Sequence, residues 1–354
     1  MSKILLFFFS LFLLYSCSSD KKVKPLISPQ STYKTIINTS KHVQDKSSQP
    51  DSIKQIKSIL DFDNTLVFST LNGIYIINKE TKQLIKYYKI ELDNILKNRL
   101  SINQNKSKIL VTLSTGQSTR SLILQIDIPS YKVDWLAENK VQIVATTYSQ
   151  DGKQIVIGTG YNRRKITSDS IDYYSSLFTI TSINGEFENY YEQGESVSKT
   201  IFSINDSSLY AVLDWPHSDT YLWHTKNITA KMKVFGKDHT RFYNCYELTN
   251  FDFLTIAENG IYKWYKSNPD SYETIYEGYM NQNDKLYSIA SKFILVNYKN
   301  GISNPPIIKY FTNDFILTDS IQLNSRFDDI TYDKNCLIGL DPKSSSILSF
   351  NIIN

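Results

Sequence analysis

A tight Asp-Gly turn followed by a short β-branched strand, Tyr148 to Thr159, is echoed along the whole chain at nearly constant spacing. Aligned on the first apolar residue after each turn, the echoes begin at Leu66, Ile109, Ile155, Leu209, Phe253, Phe293 and Cys336, so the intervals are 43, 46, 54, 44, 40 and 43 residues. Each interval has room for four short strands and their turns. Such a unit cannot bury both faces of its own sheet and gains stability only against its neighbours. A closed ring of these units leaves only short, protected edges. The reading is therefore all-β: a seven-bladed β-propeller of four-stranded antiparallel blades. Six or eight blades are the alternatives, because the interval of 54 hides an insertion.

The first repeat reads strand by strand as Ser58–Asp63, Thr65–Thr70, Gly73–Asn78 and Gln83–Tyr88, named A to D from the axis outward. In the later repeats the third strands include 122–128, 177–182, 220–225, 260–265 and 307–311. The last repeat offers A at 327–332, B at 336–340 and C at 347–352. A fourth strand borrowed from the other terminus would cover its open edge. Tyr33–Ile37 is the candidate, with 53–57 as runner-up. Segments 149–153 (Ser-Gln-Asp-Gly-Lys) and 203–206 (Ser-Ile-Asn-Asp) resemble the turns of WD40-like and YVTN-like β-propellers, and the resemblance covers roughly residues 53–354. The WD40 dipeptides Gly-His and Trp-Asp are missing, and Asp134-Trp135 has the reverse order.

The N-terminus carries a different signal. Lys3, the apolar run 4–15 and then Leu14-Tyr15-Ser16-Cys17 resemble a bacterial lipoprotein signal with its lipobox. The resemblance implies cleavage after Ser16 and diacylation of Cys17 through its sulfur, with palmitate-type chains holding the protein to the membrane. An ordinary secretory signal or a short membrane anchor is the alternative. Ser18-Ser19-Asp20-Lys21-Lys22 has no aspartate directly after the cysteine, which by the same resemblance implies the outer membrane, facing the periplasm or the cell surface. The domain reading is 1–16 signal peptide, 17–52 lipidated cysteine and tether, and 53–354 propeller.

Composition excludes some partners. Lys and Arg number 39 against 35 Asp and Glu, a net charge of +4, and they are scattered rather than massed. No basic stripe offers itself to nucleic acid. Of three cysteines, Cys245 and Cys336 fall in blades that do not touch and read as buried thiols rather than a disulfide. No metal and no cofactor is read from the sequence. Hydrolase elbows, phosphate loops and zinc-protease pairs are absent as motifs.

Antiparallel order puts the A–B and C–D turns at one end and the B–C loops and D–A crossings at the other. The longer loops all fall at the second end. They bring together Arg163, Arg164, Tyr173 and Tyr174 of the 158–175 loop, Trp215 and His217 of repeat 4, and His239 of the following crossing. Exposed loops of mixed chemistry on a rigid body are the default binding surface. Trp135, Trp223 and Trp264 read instead as packing between blades. The function this implies is a binding or scaffold module for a protein or glycan partner. The alternative is an enzyme acting on a sugar or lactone at the axial channel.

Overall fold

The computed structural model describes residues 33–36, 43–46 and 56–351, apart from 93–94, 116–119, 161, 166–170, 175, 194–195, 203–207, 216–218, 225–226, 237–241, 249–251, 266, 290–291, 300–303, 328–329, 334–335 and 342–345. Among these residues every regular element is a strand, and no helix is long and apolar enough to cross a membrane.

Two four-residue strands come first, β1 (Tyr33–Ile36) and β2 (Val43–Lys46). Sheet 1 holds β3 (Ile56–Phe62), β4 (Thr65–Thr70), β5 (Gly73–Asn78) and β6 (Leu84–Ile90). Sheet 2 holds β7 (Ile95–Ile102), β8 (Lys108–Thr115), β9 (Ser121–Asp127) and β10 (Lys132–Asn139). Sheet 3 starts with β11 (Ile143–Tyr148) and β12 (Gln154–Thr159), is interrupted by a separate ladder of β13 (Asn162–Lys165) and β14 (Ile171–Tyr174), and resumes with β15 (Ser176–Thr181) and β16 (Phe187–Gln193). Sheet 4 is β17 (Ser196–Phe202), β18 (Ser208–Trp215), β19 (Asp219–His224) and β20 (Asn227–Gly236). Sheet 5 is β21 (Phe242–Glu247), β22 (Phe253–Ala257), β23 (Gly260–Tyr265) and β24 (Asn268–Glu277). Sheet 6 is β25 (Lys285–Ile289), β26 (Lys292–Asn297), β27 (Ile307–Thr312) and β28 (Leu317–Gln322). Sheet 7 is β29 (Ile330–Asp333), β30 (Cys336–Asp341) and β31 (Ser346–Asn351).

All sheets are antiparallel, and apart from β1, β2 and the β13–β14 ladder their strands run in chain order from the first outward. The arrangement is that of a propeller of antiparallel blades. Strand periodicity explains why. Successive side chains of a strand point to opposite faces, so a strand buried on both sides reads as an unbroken apolar run. On β8, Ile109 and Val111 pack with Val67, Ile74 and Ile76 of sheet 1, whereas Leu110 between them packs with Ile155, Ile157 and Phe178 of sheet 3. The same division continues around the molecule. Val156 and Leu177 meet Leu209 and Ala211, Tyr210 meets Phe242 and Phe253, and Leu254 and Ile256 meet Leu286 and Leu295. Ile294 and Ile308 then meet Phe327 and Leu337, and Ile338 packs against the cluster of Ile59, Phe68 and Tyr75 in sheet 1. The circle is closed by packing of the last sheet on the first.

The four-stranded antiparallel blade is the repeating unit, with additions at the rim. Sheets 1 and 2 each have five strands, because β2 adds to the outer edge of β6 and β1 to the outer edge of β10, while sheet 7 has three among the described residues. The strand read at Tyr33–Ile37 is present as β1, but its partner is corrected. It pairs with β10, with Tyr33 opposite Asn139 and Ile36 opposite Leu136, and not with the last repeat. Chain length gives a physical reason. Nine residues, 47–55, lie between β2 and β3 and reach at most about 32 Å when extended. Four strand spacings from the rim of sheet 1 to its first strand take about 19 Å. The chain thus travels along the rim of sheets 2 and 1 before it turns inward, and the segment read as a tether contributes two strands to the body. The runner-up closing strand, 53–57, merges instead into β3, which starts at Ile56.

Candidate functional site

The two ends of the propeller differ in how the chain is held. At the A–B and C–D end, tight turns are joined from sheet to sheet. Asp63 takes a positive φ of 46° in the two-residue turn between β3 and β4, and Gly152 takes 70° in the Asp-Gly turn between β11 and β12. Lys106 in the corresponding turn of sheet 2 reaches Asp63 at 2.8 Å. Lys108 bridges Asp127 at 2.9 Å and Asp134 at 2.7 Å. The hydrogen bonds from Lys108 and Ser130 hold the Asp127 carboxyl down at about 2.

Sheets 2 and 3 are tied by side-chain hydrogen bonds. Trp135 Nε1 donates to the carbonyl of Ser182 at 3.0 Å, and Gln125 Nε2 donates to the same oxygen at 2.8 Å. The Tyr148 hydroxyl donates to Gln125 Oε1 at 3.0 Å, and Ser182 Oγ donates to the carbonyl of Gly152 at 2.6 Å. Burial pushes the Tyr148 phenol well above its ordinary range, so it stays a donor. Trp135 is buried here, and Trp264 is buried with its Nε1 donating to Thr255 Oγ1 at 2.8 Å. Both serve as packing, as the sequence suggested.

At the B–C and D–A end the long connections are pinned at their bases. Within the 158–175 segment, β13 and β14 form an antiparallel two-stranded ladder. Arg163 pairs with Tyr173 and Arg164 with Asp172 across β13 and β14, and Tyr174 pairs with Asn162. Its base is closed where the Ser176 N–H donates to the buried Thr159 Oγ1 at 2.6 Å and the Gly160 N–H donates to the Gln142 carbonyl at 2.9 Å. The ladder brings Arg163, Arg164, Tyr173 and Tyr174 into one element. Trp215 ends β18, opposite Ser196 of β17. His217, His239 and Cys17 lie outside the described residues, as does the rest of the signal segment.

A second long connection at the same end, between β26 and β27 of sheet 6, is held at both of its described ends. Its anchor is Asp284, fully buried in the crossing from sheet 5. Asp284 Oδ1 accepts from the Tyr298 N–H at 2.7 Å, and Oδ2 accepts from Asn297 Nδ2 at 2.7 Å and from the Asn281 N–H at 3.0 Å. Burial raises the pKa of this carboxyl, against the opposing pull of those donors and of Lys309. The far side of the loop is held by Gln322 Nε2, which donates to the Pro305 carbonyl at 2.9 Å. Beside it Tyr279 is 55% exposed, a large aromatic at the long-loop end. Its signal in sequence is weak: a lone Tyr after Gly278, in a crossing that reads only as polar.

Among the described residues no three His, Cys, Asp or Glu side chains converge in a way that could hold a metal ion. Cys245 is a fully buried thiol in the apolar cluster of sheet 5.

No family model matches the chain, and no curated protein matches it. The likeness is to solved structures. Chaetomium thermophilum Raptor superposes with a TM-score of 0.62 at 10% identity over 86% of this chain, which spans only 28% of the Raptor chain. A chain of the Mitotic Checkpoint Complex gives 0.57 at 10% identity, covering 90% of this chain and 97% of that one. BamB from Moraxella catarrhalis gives 0.50 at 11% identity, covering 85% and 84%. At such identities the shared property is the fold.

Proposed function

We propose that the protein is a lipid-anchored β-propeller of the outer membrane, acting as a scaffold whose long-loop end binds a protein partner. The observation that carries this is the contrast between the two ends: short turns at one, and at the other a two-stranded ladder and a long connection whose described bases are held by hydrogen bonds. Rigid bases with projecting segments present recognition groups at low entropic cost. The contact set is Arg163, Arg164, Tyr173, Tyr174 and Trp215, joined by His217 and His239 and extended by Tyr279. That one similar chain comes, by its name, from an assembly, the Mitotic Checkpoint Complex, agrees with a scaffold role. A glycan is the second ligand class, favoured by the exposed Tyr279 ring, since aromatic faces suit sugars.

The blade count belongs to the same proposal. Among the described residues, reading one blade per sheet of three or more strands would give seven, and the apolar clusters between successive sheets support that count. The anchor rests on the lipobox resemblance at Cys17.

Affinity purification of the lipidated chain from gently solubilised envelopes tests the binding reading. It is run beside a variant with residues 160–174 replaced by a short Gly-Ser segment. A defined protein retained by the parent and lost by the variant supports it. If both retain nothing, the reading fails and the axial-channel enzyme becomes the working alternative. Labelling with radioactive palmitate, lost in Cys17→Ser, tests the anchor.

A further inference from the structure

The first strand of each sheet lies next to the axis. β3 neighbours β7 and β29, β7 neighbours β11, β11 neighbours β17, and β17 neighbours β21. The Leu286 N–H of β25 donates to the Tyr246 hydroxyl of β21 at 3.4 Å, and the Tyr287 hydroxyl of β25 donates to the Ile330 carbonyl of β29 at 2.6 Å. These strands form a closed inner ring, so a side chain in the middle of one of them reaches solvent through the space the ring encloses. Arg99 is such a residue. It sits within β7 and is exposed. Register gives its direction. Arg99 lies opposite Thr112 of β8, and Ser101 lies opposite Leu110. Leu110 packs against sheet 3, and the Thr112 hydroxyl lies 3.3 Å from that of Thr146 on β11. Cross-strand partners share a face, so Arg99 and Ser101 face sheet 3, one strand nearer the axis than Thr112. The alternate residues face sheet 1: Asn98 Nδ2 donates to the Thr70 carbonyl at 2.9 Å, and Leu100 packs with the cluster between sheets 1 and 2.

Among the described residues the Arg99 guanidinium has no ion-pair or hydrogen-bond partner, and neither has the buried Ser101 hydroxyl. Burial lowers the pKa of the guanidinium from its ordinary value, yet the side chain still reaches solvent. The two occur together where a group meets water inside a channel walled by protein. An arginine stays protonated there, so a positive charge is held short of water with nothing opposite it, which is costly. The described charges of the first strands are also sorted along the axis. Lys57, Arg99 and Lys285 stand in the early or middle part of β3, β7 and β25, whereas Asp61 and Glu247 stand at the short-turn ends of β3 and β21. Asp61 is moreover neutralised by Lys79 at 2.5 Å.

We propose that Arg99, with the hydroxyls of Ser101 and Thr146 beside it, forms an anion site on the wall of the axial channel and takes the carboxylate of a small molecule entering from the long-loop end. The planar guanidinium presents two parallel N–H donors that match the two oxygens of a carboxylate. One cation among neutral hydroxyls balances one negative charge, which selects a carboxylate over a phosphate carrying closer to two. The hydroxyls supply further donors and acceptors to polar groups next to the carboxylate.

Isothermal titration calorimetry of the full chain in detergent at low salt, with lactate and inorganic phosphate as probes, tests this. Lactate is expected to bind with a Kd on the order of 1 mM, and phosphate more weakly. Arg99→Gln should abolish the lactate heat. Arg99→Lys keeps the charge without the fork and should weaken binding about tenfold. Because a variant can lose its fold for other reasons, a second measurement uses the wild type alone: modification of arginines by phenylglyoxal, followed by peptide mass spectrometry. Lactate must slow the reaction of Arg99 while the other arginines react as before. Absence of lactate binding, binding that survives Arg99→Gln, tighter binding of phosphate, or an Arg99 whose modification ignores lactate overturns the proposal. The variant with residues 160–174 replaced keeps Arg99, Ser101 and Thr146, so lactate binding by that variant separates the fate of this site from that of the protein-binding reading.

Discussion

The short-turn end of sheets 1 to 3 and the long-loop end of sheets 3 and 6 are built from the same strands and held by different means. At the first, side chains of one sheet bond to turns of the next: Lys106 to Asp63, Trp135 and Gln125 to Ser182. At the second, bonds close the base of each projection within or just below its own sheet, as Ser176 does on Thr159 and Asp284 does under Tyr298. The long-loop end also carries bonds between sheets, from Asn98 Nδ2 to the Thr70 carbonyl at 2.9 Å and from Ser121 Oγ to the Val141 carbonyl at 2.9 Å. Both ends thus hold neighbouring blades in register, and what separates them is the length of the connections beyond their bonded bases.

Substitutions can break this contrast. The largest loss is expected for Trp135→Ala, about 3–5 kcal/mol by denaturant unfolding, since an aromatic is removed from a buried junction. Asp284→Ala comes next, at about 3 kcal/mol, because it leaves three N–H donors buried without an acceptor. It sharpens the contrast by showing that the long-loop end is stiff at its base. Gly185→Ala should cost about 2 kcal/mol from left-handed backbone strain and overpacking. Gly185 has a φ of 70°, and an added Cβ would lie 2.7 Å from the Trp135 ring. Replacing 160–174 should change stability by less than about 1 kcal/mol, as loop-closure entropy varies slowly with length. A loss as large as that of Trp135→Ala would erase the distinction between the ends.

Smallest is Asp127→Asn, below about 1 kcal/mol for a pair still partly in water. Its pH signature is more telling. The carboxyl is held down at about 2, below its unfolded value of 3.8, so its contribution is complete above the unfolded value and disappears as pH falls through about 2. The unfolding free energy of Asp127→Asn should therefore meet that of the wild type near pH 2, as followed by urea titration at each pH.

Strands with alternation or unbroken apolar runs were legible in the sequence. Thr65–Thr70, Gly73–Asn78 and Gly260–Tyr265 are bounded in the structure as they were read. β2 and β13 were not, and the reason is physical. Val-Gln-Asp-Lys and Asn-Arg-Arg-Lys show no apolar period, and what makes them strands is an edge or a partner segment elsewhere in the chain. Backbone pairing of this kind leaves no mark on side-chain pattern. The longer connections were legible in the sequence from their lengths alone. The Asp284 anchor was hidden because a buried carboxylate accepting three N–H bonds looks, in sequence, like any polar residue of a crossing.

The course of the chain along the rim has a mechanical consequence. β1 and β2 are the outermost strands of their sheets, and β3 is the innermost of its own. A pull applied ahead of residue 33 is borne first by the four-residue β1 ladder, then by β2, and reaches the closed ring only after both have let go. The two short strands act as fuses in series. Such a tension would be dissipated by peeling about eight residues from the perimeter while the ring, and the loops it presents, keep their shape.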